Sequence, residues 1–304
     1  MRVLITGATG FIGRALVAEL QRNGHRVVAW ARSDARATSV LGAGVDIVST
    51  SAGQDALNAA VSDCDAAINL AGEPLLGKRW TEKRRAVLRA SRVDVTHQLV
   101  AAMEAASSRH RVLVSGSAVG FYGDRGDEVL NESSSPREDF LSRLCRDWEH
   151  AAEAASASAV RVVVVRTGVV LGRDGGALSQ MLPPFKLGVG GPIGSGRQYF
   201  PWIHLRDLVR LFVAALEDDR YRGPVNGVAP QQTTSRTFAK ALGRAVHRPA
   251  ILPTPSLALR AIFGEAAVVL LASQRVDPAV ARRLGFVWEF PSLDAALENI
   301  ISKP

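Results

Sequence analysis

Seven residues near the start constrain this chain more than any other stretch. Gly7-Ala8-Thr9-Gly10-Phe11-Ile12-Gly13 follows directly on the β-branched run Arg2–Ile5 and opens an apolar pattern of helical period over Ile12–Arg22. The glycines therefore fall where a strand turns into a helix. Glycine permits the tight turn, lets backbone approach an anion and lets the helix pack on the sheet, while the helix-start N–H groups and dipole attract negative charge. A glycine trio alone also arises in an ordinary turn, but between an N-terminal strand and a helix it is a pyrophosphate-binding pattern. Candidate contacts are Gly7, Thr9, Gly10, Phe11, Ile12 and Gly13.

Further strand-like runs at Arg26–Trp30, Asp46–Ser49, Ala66–Leu70, Arg111–Ser115 and Val160–Arg166 alternate with helical patterns at Thr81–Ala105 and Phe140–Ala155. That alternation predicts an α/β fold with a doubly wound parallel sheet of the Rossmann type. From Gly172 the texture changes, with Pro183-Pro184, Gly188, Gly190-Gly191-Pro192 and Gly194-Ser195-Gly196 reading as a loop-rich ligand lid. Helices follow at Leu205–Glu217, Ser235–Ala245 and Ser256–Leu271, with a short strand around Pro224–Gly227. The expected organisation is a nucleotide-binding domain over 1–172, rejoined by about 203–229, and a smaller C-terminal α/β cap built from 173–202 and 230–304.

Of 304 residues, 47% are hydrophobic and 22% charged, which excludes disordered and collagen-like chains. Apolar runs such as Val160–Val165, interrupted by Arg161, fall far short of the roughly 18 residues of a membrane helix. No signal peptide is legible after Met1, and Cys64 and Cys145 give neither a disulfide framework nor metal-ligand spacing, so a cytoplasmic protein with reduced thiols is expected. The six dispersed histidines form no metal set. A net charge of +8 raises the question of nucleic acid. The densest basic cluster, Lys78-Arg79 with Lys83-Arg84-Arg85, falls at a loop and helix start and reads as a solvated face rather than a nucleic-acid surface.

The second strand ends in Trp30-Ala31-Arg32-Ser33, where an acidic residue would bind the ribose 2′-hydroxyl of NAD. Here the residue is basic. Arg32 pairs with a 2′-phosphate and Ser33 donates to it, which predicts NADP(H) over NAD(H), unless Arg32 only caps a surface loop.

With these residues the chain resembles an extended short-chain dehydrogenase/reductase. The resemblance rests on the glycine spacing, Asn69-Leu70-Ala71-Gly72, and Ser115-Gly116-Ser117-Ala118-Val119-Gly120-Phe121-Tyr122-Gly123. More narrowly, Gly77-Lys78-Arg79-Trp80-Thr81, Ala90-Ser91-Arg92-Val93, Arg166–Gly172, Gly191–Gly196 and Pro201-Trp202-Ile203-His204 are similar to its atypical "epimerase family protein" subgroup. Gln274-Arg275-Val276, Gly285-Phe286 and Phe290–Leu293 resemble that subgroup's C-terminal domain of unknown function. The resemblance implies cofactor contacts at the glycine turn, Arg32, Leu70, Ala71 and Gly72, and at Arg92 near the cofactor ribose. Arg166, at a strand's carboxyl end, would face the cofactor or serve as a structural ion-pair partner.

The Tyr-xxx-Lys pair usual in the superfamily is absent: four residues beyond Tyr122, Tyr199 and Tyr221 stand Gly126, Ile203 and Val225. Cys145 and Glu149 take the spacing of the pair when its helix is anchored on Glu153. Candidate catalytic groups are therefore Ser117, where the family places a serine, Cys145 as proton donor, Glu149 as acid or base, and Tyr122 as reserve acid. The first three have plainer alternatives: a turn serine, a packed thiol, an exposed glutamate. His204 and Asp207 read as lid orientation and a helix cap rather than a catalytic dyad. Two functions fit: an NADP-dependent oxidoreductase or epimerase-like enzyme acting on an unidentified small hydroxyl or carbonyl substrate, or a non-catalytic NADP(H)-binding redox sensor that regulates a protein partner.

Overall fold

The computed structural model describes residues 1–106 and 112–302. Its strands are β1 (Arg2–Thr6), β2 (Arg26–Ala31), β3 (Val45–Ser49), β4 (Ala66–Asn69), β5 (Val112–Ala118), β6 (Val129–Leu130), β7 (Arg161–Thr167), β8 (Val169–Leu171), β9 (Trp202–His204), β10 (Gly223–Gly227) and β11 (Arg275–Val276). The helices are α1 (Phe11–Arg22), α2 (Asp34–Leu41), α3 (Gly53–Ser62), α4 (Glu82–Arg89), α5 (Val95–Ala105), α6 (Phe140–Glu153), α7 (Gly176–Lys186), α8 (Leu205–Glu217), α9 (Ser235–Ala245), α10 (Ser256–Phe263), α11 (Val268–Leu271), α12 (Ala279–Arg283) and α13 (Leu293–Ser302).

Seven strands form one sheet in the order β3-β2-β1-β4-β5-β7-β10, and every adjacent pair is parallel. The inner strands are buried on both faces, which is why they read as near-continuous apolar runs, while β3 at the edge is only half-buried. Leu16, Leu20 and Phe212 from α1 and α8 pack on one face, and Leu57, Leu99 and Met103 from α3 and α5 on the other. The order reverses direction between β1 and β4, leaving a crevice at the carboxyl ends where ligands bind in such sheets. A buried polar row lies beneath it: Thr6 Oγ1 donates to Asn69 Oδ1 at 2.6 Å, and Asn69 Nδ2 donates to Thr96 Oγ1 at 2.7 Å.

The expected strands are present, though Arg111 lies outside the described residues, and the Arg111–Ser115 strand runs on to Ala118, so Ser117 sits within β5. The Thr81–Ala105 helix is interrupted by a π-helical segment, Ala90–Asp94, and Ser256–Leu271 breaks into α10, a 3-10 turn and α11. The loop expected after Gly172 contains a helix: α7 includes Pro183 and Pro184, held by buried Leu178 and Phe185. Packing overrides propensity there.

The C-terminal segment returns to earlier parts of the chain. β11 pairs with β6, Glu132 Oε1 accepts from Val280 N at 3.1 Å, and buried Asp207 accepts from Glu289 N at 2.7 Å and Phe290 N at 2.9 Å. Among the described residues no helix is long and apolar enough to cross a membrane.

Candidate functional site

At the end of β1 the chain turns through Gly7 at φ +71°, where a side-chain Cβ would lie 2.6 Å from Leu70 O. A Cβ on Gly13 would lie 2.2 Å from Gly7 O, so α1 packs against the turn only because no side chain is there. Gly10, the N-cap, is exposed and offers no side chain to cap the helix, whose first turn also lacks an acidic residue. Arg14 N is the first to close onto the helix, at Gly10 O. The N–H groups of Phe11, Ile12 and Gly13 precede it and carry the positive end of the dipole. The turn therefore fits a diphosphate. The Phe11 ring also has a structural task, because a Cβ on Gly172, Gly175 or Gly176 would come within 2.7–2.8 Å of it.

Arg32 emerges at the carboxyl end of β2 with 84% of its side chain exposed, and its Nη1 donates to Glu73 Oε1 at 3.1 Å. Ser33 caps α2, its hydroxyl accepting from Arg36 N at 3.4 Å. Leu70 and Ala71 present backbone, their N–H groups donating to Thr6 Oγ1. Arg92 folds inward: Nη2 donates to Glu73 O at 2.9 Å, the guanidinium lies over Trp148, and it closes on Gly72, where a Cβ would be 3.1 Å from Arg92 Cζ. The ribose contact expected of Arg92 is not what this geometry displays, because its guanidinium already serves the Glu73 backbone.

Helix α6 brings Cys145 and Glu149 onto the face turned to β5. Ser117 Oγ donates to Glu149 Oε1 at 2.6 Å. Arg166, in register with Ser117 on the next strand, grips the same carboxylate through Nε at 3.0 Å and Nη2 at 2.8 Å. Its Nη1 donates to Tyr122 Oη and Glu132 O, and its guanidinium lies 3.5 Å from the Phe121 ring centroid. Arg166 thus takes the ion-pair alternative rather than facing the cofactor: burial would lower its pKa, and the Glu149 contacts outweigh that and raise it. Glu149 is buried, not the exposed helix glutamate of the alternative reading.

Two expected acids are poorly poised. Burial, with Glu149's charge adding, pushes the Cys145 thiol up to about 12. Burial also pushes the Tyr122 phenol up to about 12 against the lowering pull of Arg166, and its hydroxyl is committed to Asn226 Oδ1 at 2.7 Å. His204 is the N-cap of α8, its Nδ1 accepting from Arg206 N and its ring stacked on Phe290, while Asp207 serves the Glu289 and Phe290 backbone. The basic cluster is used inside the molecule: Arg79 donates to Ala261 O and Ile262 O, Arg84 to Glu73 and Pro74 O, and Arg85 pairs with Glu265.

Sequence reasoning missed Glu73, Glu132 and Asn226. Glu73 immediately follows the Leu70-Ala71-Gly72 block and was signalled by that position; Asn226 stood out only as a polar residue inside a strand.

Residues 3–226 match the NAD dependent epimerase/dehydratase family. The chain belongs to that family. Residues 254–300 match DUF1731, a domain of unknown function. This epimerase-family chain is 42% identical over 306 residues to the mouse epimerase family protein SDR39U1, covering 99% of this chain and 100% of the relative. The crystal structure of human epimerase family protein SDR39U1 with NADPH superposes with a TM-score of 0.90 at 40% identity, covering 100% of both chains. The nucleoside-diphosphate sugar epimerase of Corynebacterium glutamicum superposes at 0.78 with 33% identity, covering 99% of this chain and 58% of that one.

Proposed function

We propose that this chain is an NADP(H)-binding oxidoreductase or epimerase-like enzyme acting on a small hydroxyl- or carbonyl-bearing substrate. The observation that carries the reading is the uncapped N-terminus of α1 behind Gly7, Gly10 and Gly13, with the exposed Arg32 guanidinium at the neighbouring strand end. The helix start holds the diphosphate and Arg32 the 2′-phosphate. The relative crystallised with NADPH supports that assignment. When bound, the nicotinamide supplies hydride exchange.

This chain's own contribution is the proton. Ser117 Oγ accepts the proton of a substrate hydroxyl while its own passes along the 2.6 Å bond to Glu149 Oε1, and reduction reverses both transfers. Arg166 fixes the Glu149 carboxylate in line with Ser117. This relay replaces the missing Tyr-Lys pair and needs neither Cys145 nor Tyr122.

Screening NADPH oxidation against small aldehydes and ketones, followed by Ser117→Ala on any substrate found, tests the reading. Turnover falls about 10²–10³-fold with NADPH affinity preserved, by the scale of a lost transition-state donor. An unchanged kcat removes Ser117 from the chemistry. The alternative, a non-catalytic NADP(H)-binding redox sensor, is favoured by one observation: Cys145 and Tyr122 are both buried, and the Tyr122 hydroxyl is committed to Asn226, so neither is placed to give up a proton. It predicts no turnover and different affinities for NADPH and NADP.

A further inference from the structure

The 2′-phosphate position assigned to Arg32 already has an occupant. Among the described residues Arg32 pairs with Glu73 alone, at 3.1 Å, although most of its side chain is exposed. Glu73 is anchored: its N–H donates to Ser91 Oγ at 3.0 Å, its carbonyl accepts from Arg92 Nη2 at 2.9 Å, and its other carboxylate oxygen accepts from Arg84 Nη1 at 3.4 Å. Burial acts to raise its pKa, and Arg32 and Arg84 outweigh burial and hold it below the usual carboxylate range. The site therefore contains its own anion beside its anion receptor. A phosphate arriving at Arg32 must take that guanidinium from a carboxylate, and Arg84 keeps the displaced carboxylate from being left without a cation. A cofactor ending in a 2′-hydroxyl makes no such demand.

We propose that Glu73 is a specificity-determining residue for the nicotinamide cofactor, its carboxylate competing with the 2′-phosphate for Arg32 and so narrowing the preference for NADP(H) over NAD(H). The proposal rests on the reading of Arg32 as the 2′-phosphate contact. The pair is solvent-exposed on the Arg32 side, so the competition has the size of a surface ion pair, about three- to fivefold in affinity.

The test is calorimetric titration of the full chain with NADPH and with NADH, for the parent, Glu73→Gln, Arg32→Ala and the double variant, with circular dichroism as a folding control. Glu73→Gln tightens NADPH about three- to fivefold and leaves NADH within twofold, and the gain disappears in the Arg32→Ala background. Parallel changes for the two nucleotides, weaker NADPH binding, or a gain that survives without Arg32 overturns it. Should Glu73→Gln misfold, Glu73→Ser must widen the preference in the same direction. If Arg32→Ala leaves the preference intact, the Arg32 reading itself fails; if it abolishes the preference and Glu73 variants do not widen it, only the Glu73 proposal does.

Discussion

Arg166 and Glu149 are each 4% exposed, so neither charge has water to fall back on if its partner is removed. Breaking such a pair from one side strands a buried charge at a cost of about 3–5 kcal/mol, whereas replacing both sides with apolar groups is often near neutral. Glu149→Ala is accordingly expected to lose about 3–5 kcal/mol in urea unfolding, and Glu149→Leu with Arg166→Met to recover most of it. Additive losses would mean that the two residues act separately. The residues of this cluster were legible singly: Ser117 from the β5 block, Glu149 from its spacing to Cys145. Their convergence was not, because register between β5 and β7 and the rotation of α6 are tertiary facts. Arg166 shows the difference, since a strand-end position suits a cofactor contact and an ion pair alike until the partner is known.

At the scale of elements, the two helix starts at the crevice behave oppositely. α1 is left uncapped behind its glycines; α8 is capped by a histidine. Gly10 meets only Gly7 O at 3.2 Å, whereas Gly13 faces the same oxygen at 2.2 Å. Gly10→Ala is therefore expected to keep its melting temperature within a few degrees yet weaken NADPH at the helix start, and Gly13→Ala to lose about 1–3 kcal/mol by overpacking. Thermal melts beside nucleotide titration separate the two. Burial, with Arg206 adding, lowers the His204 pKa from 6.5 to about 4. A lowered folded value means that its stabilising contribution is complete above about pH 6.5 and disappears as pH falls towards 4, up to ~3 kcal/mol. His204→Asn, which keeps a capping side chain, should flatten that part of the stability curve; an unaltered pH dependence would refute the assignment. Strands were legible because burial on both faces leaves continuous apolar runs. α7 was not, because Pro183 and Pro184 outweigh the amphipathic signal that Leu178 and Phe185 supply, and only packing decides between them.

Over the whole molecule, arginine acts as a fastener between distant segments. Arg79 and Arg85, which in sequence read as a basic face, reach across to α10 and the turn behind it. Replacing both with alanine is expected to speed amide hydrogen exchange across 256–263 while leaving β1 and β4 as protected as before; equal protection in both forms would show that packing alone holds α10. The return of the C-terminal segment has a further consequence, which concerns time. Glu132 finds one of its partners 148 residues later in the chain, and Asp207 finds its own 82 and 83 residues later. On the ribosome the nucleotide-binding segments emerge first, carrying two carboxylates that still lack these later backbone donors. A stop codon ahead of Val280 would thus deliver a nucleotide-binding fold in which both buried carboxylates lie without these backbone donors.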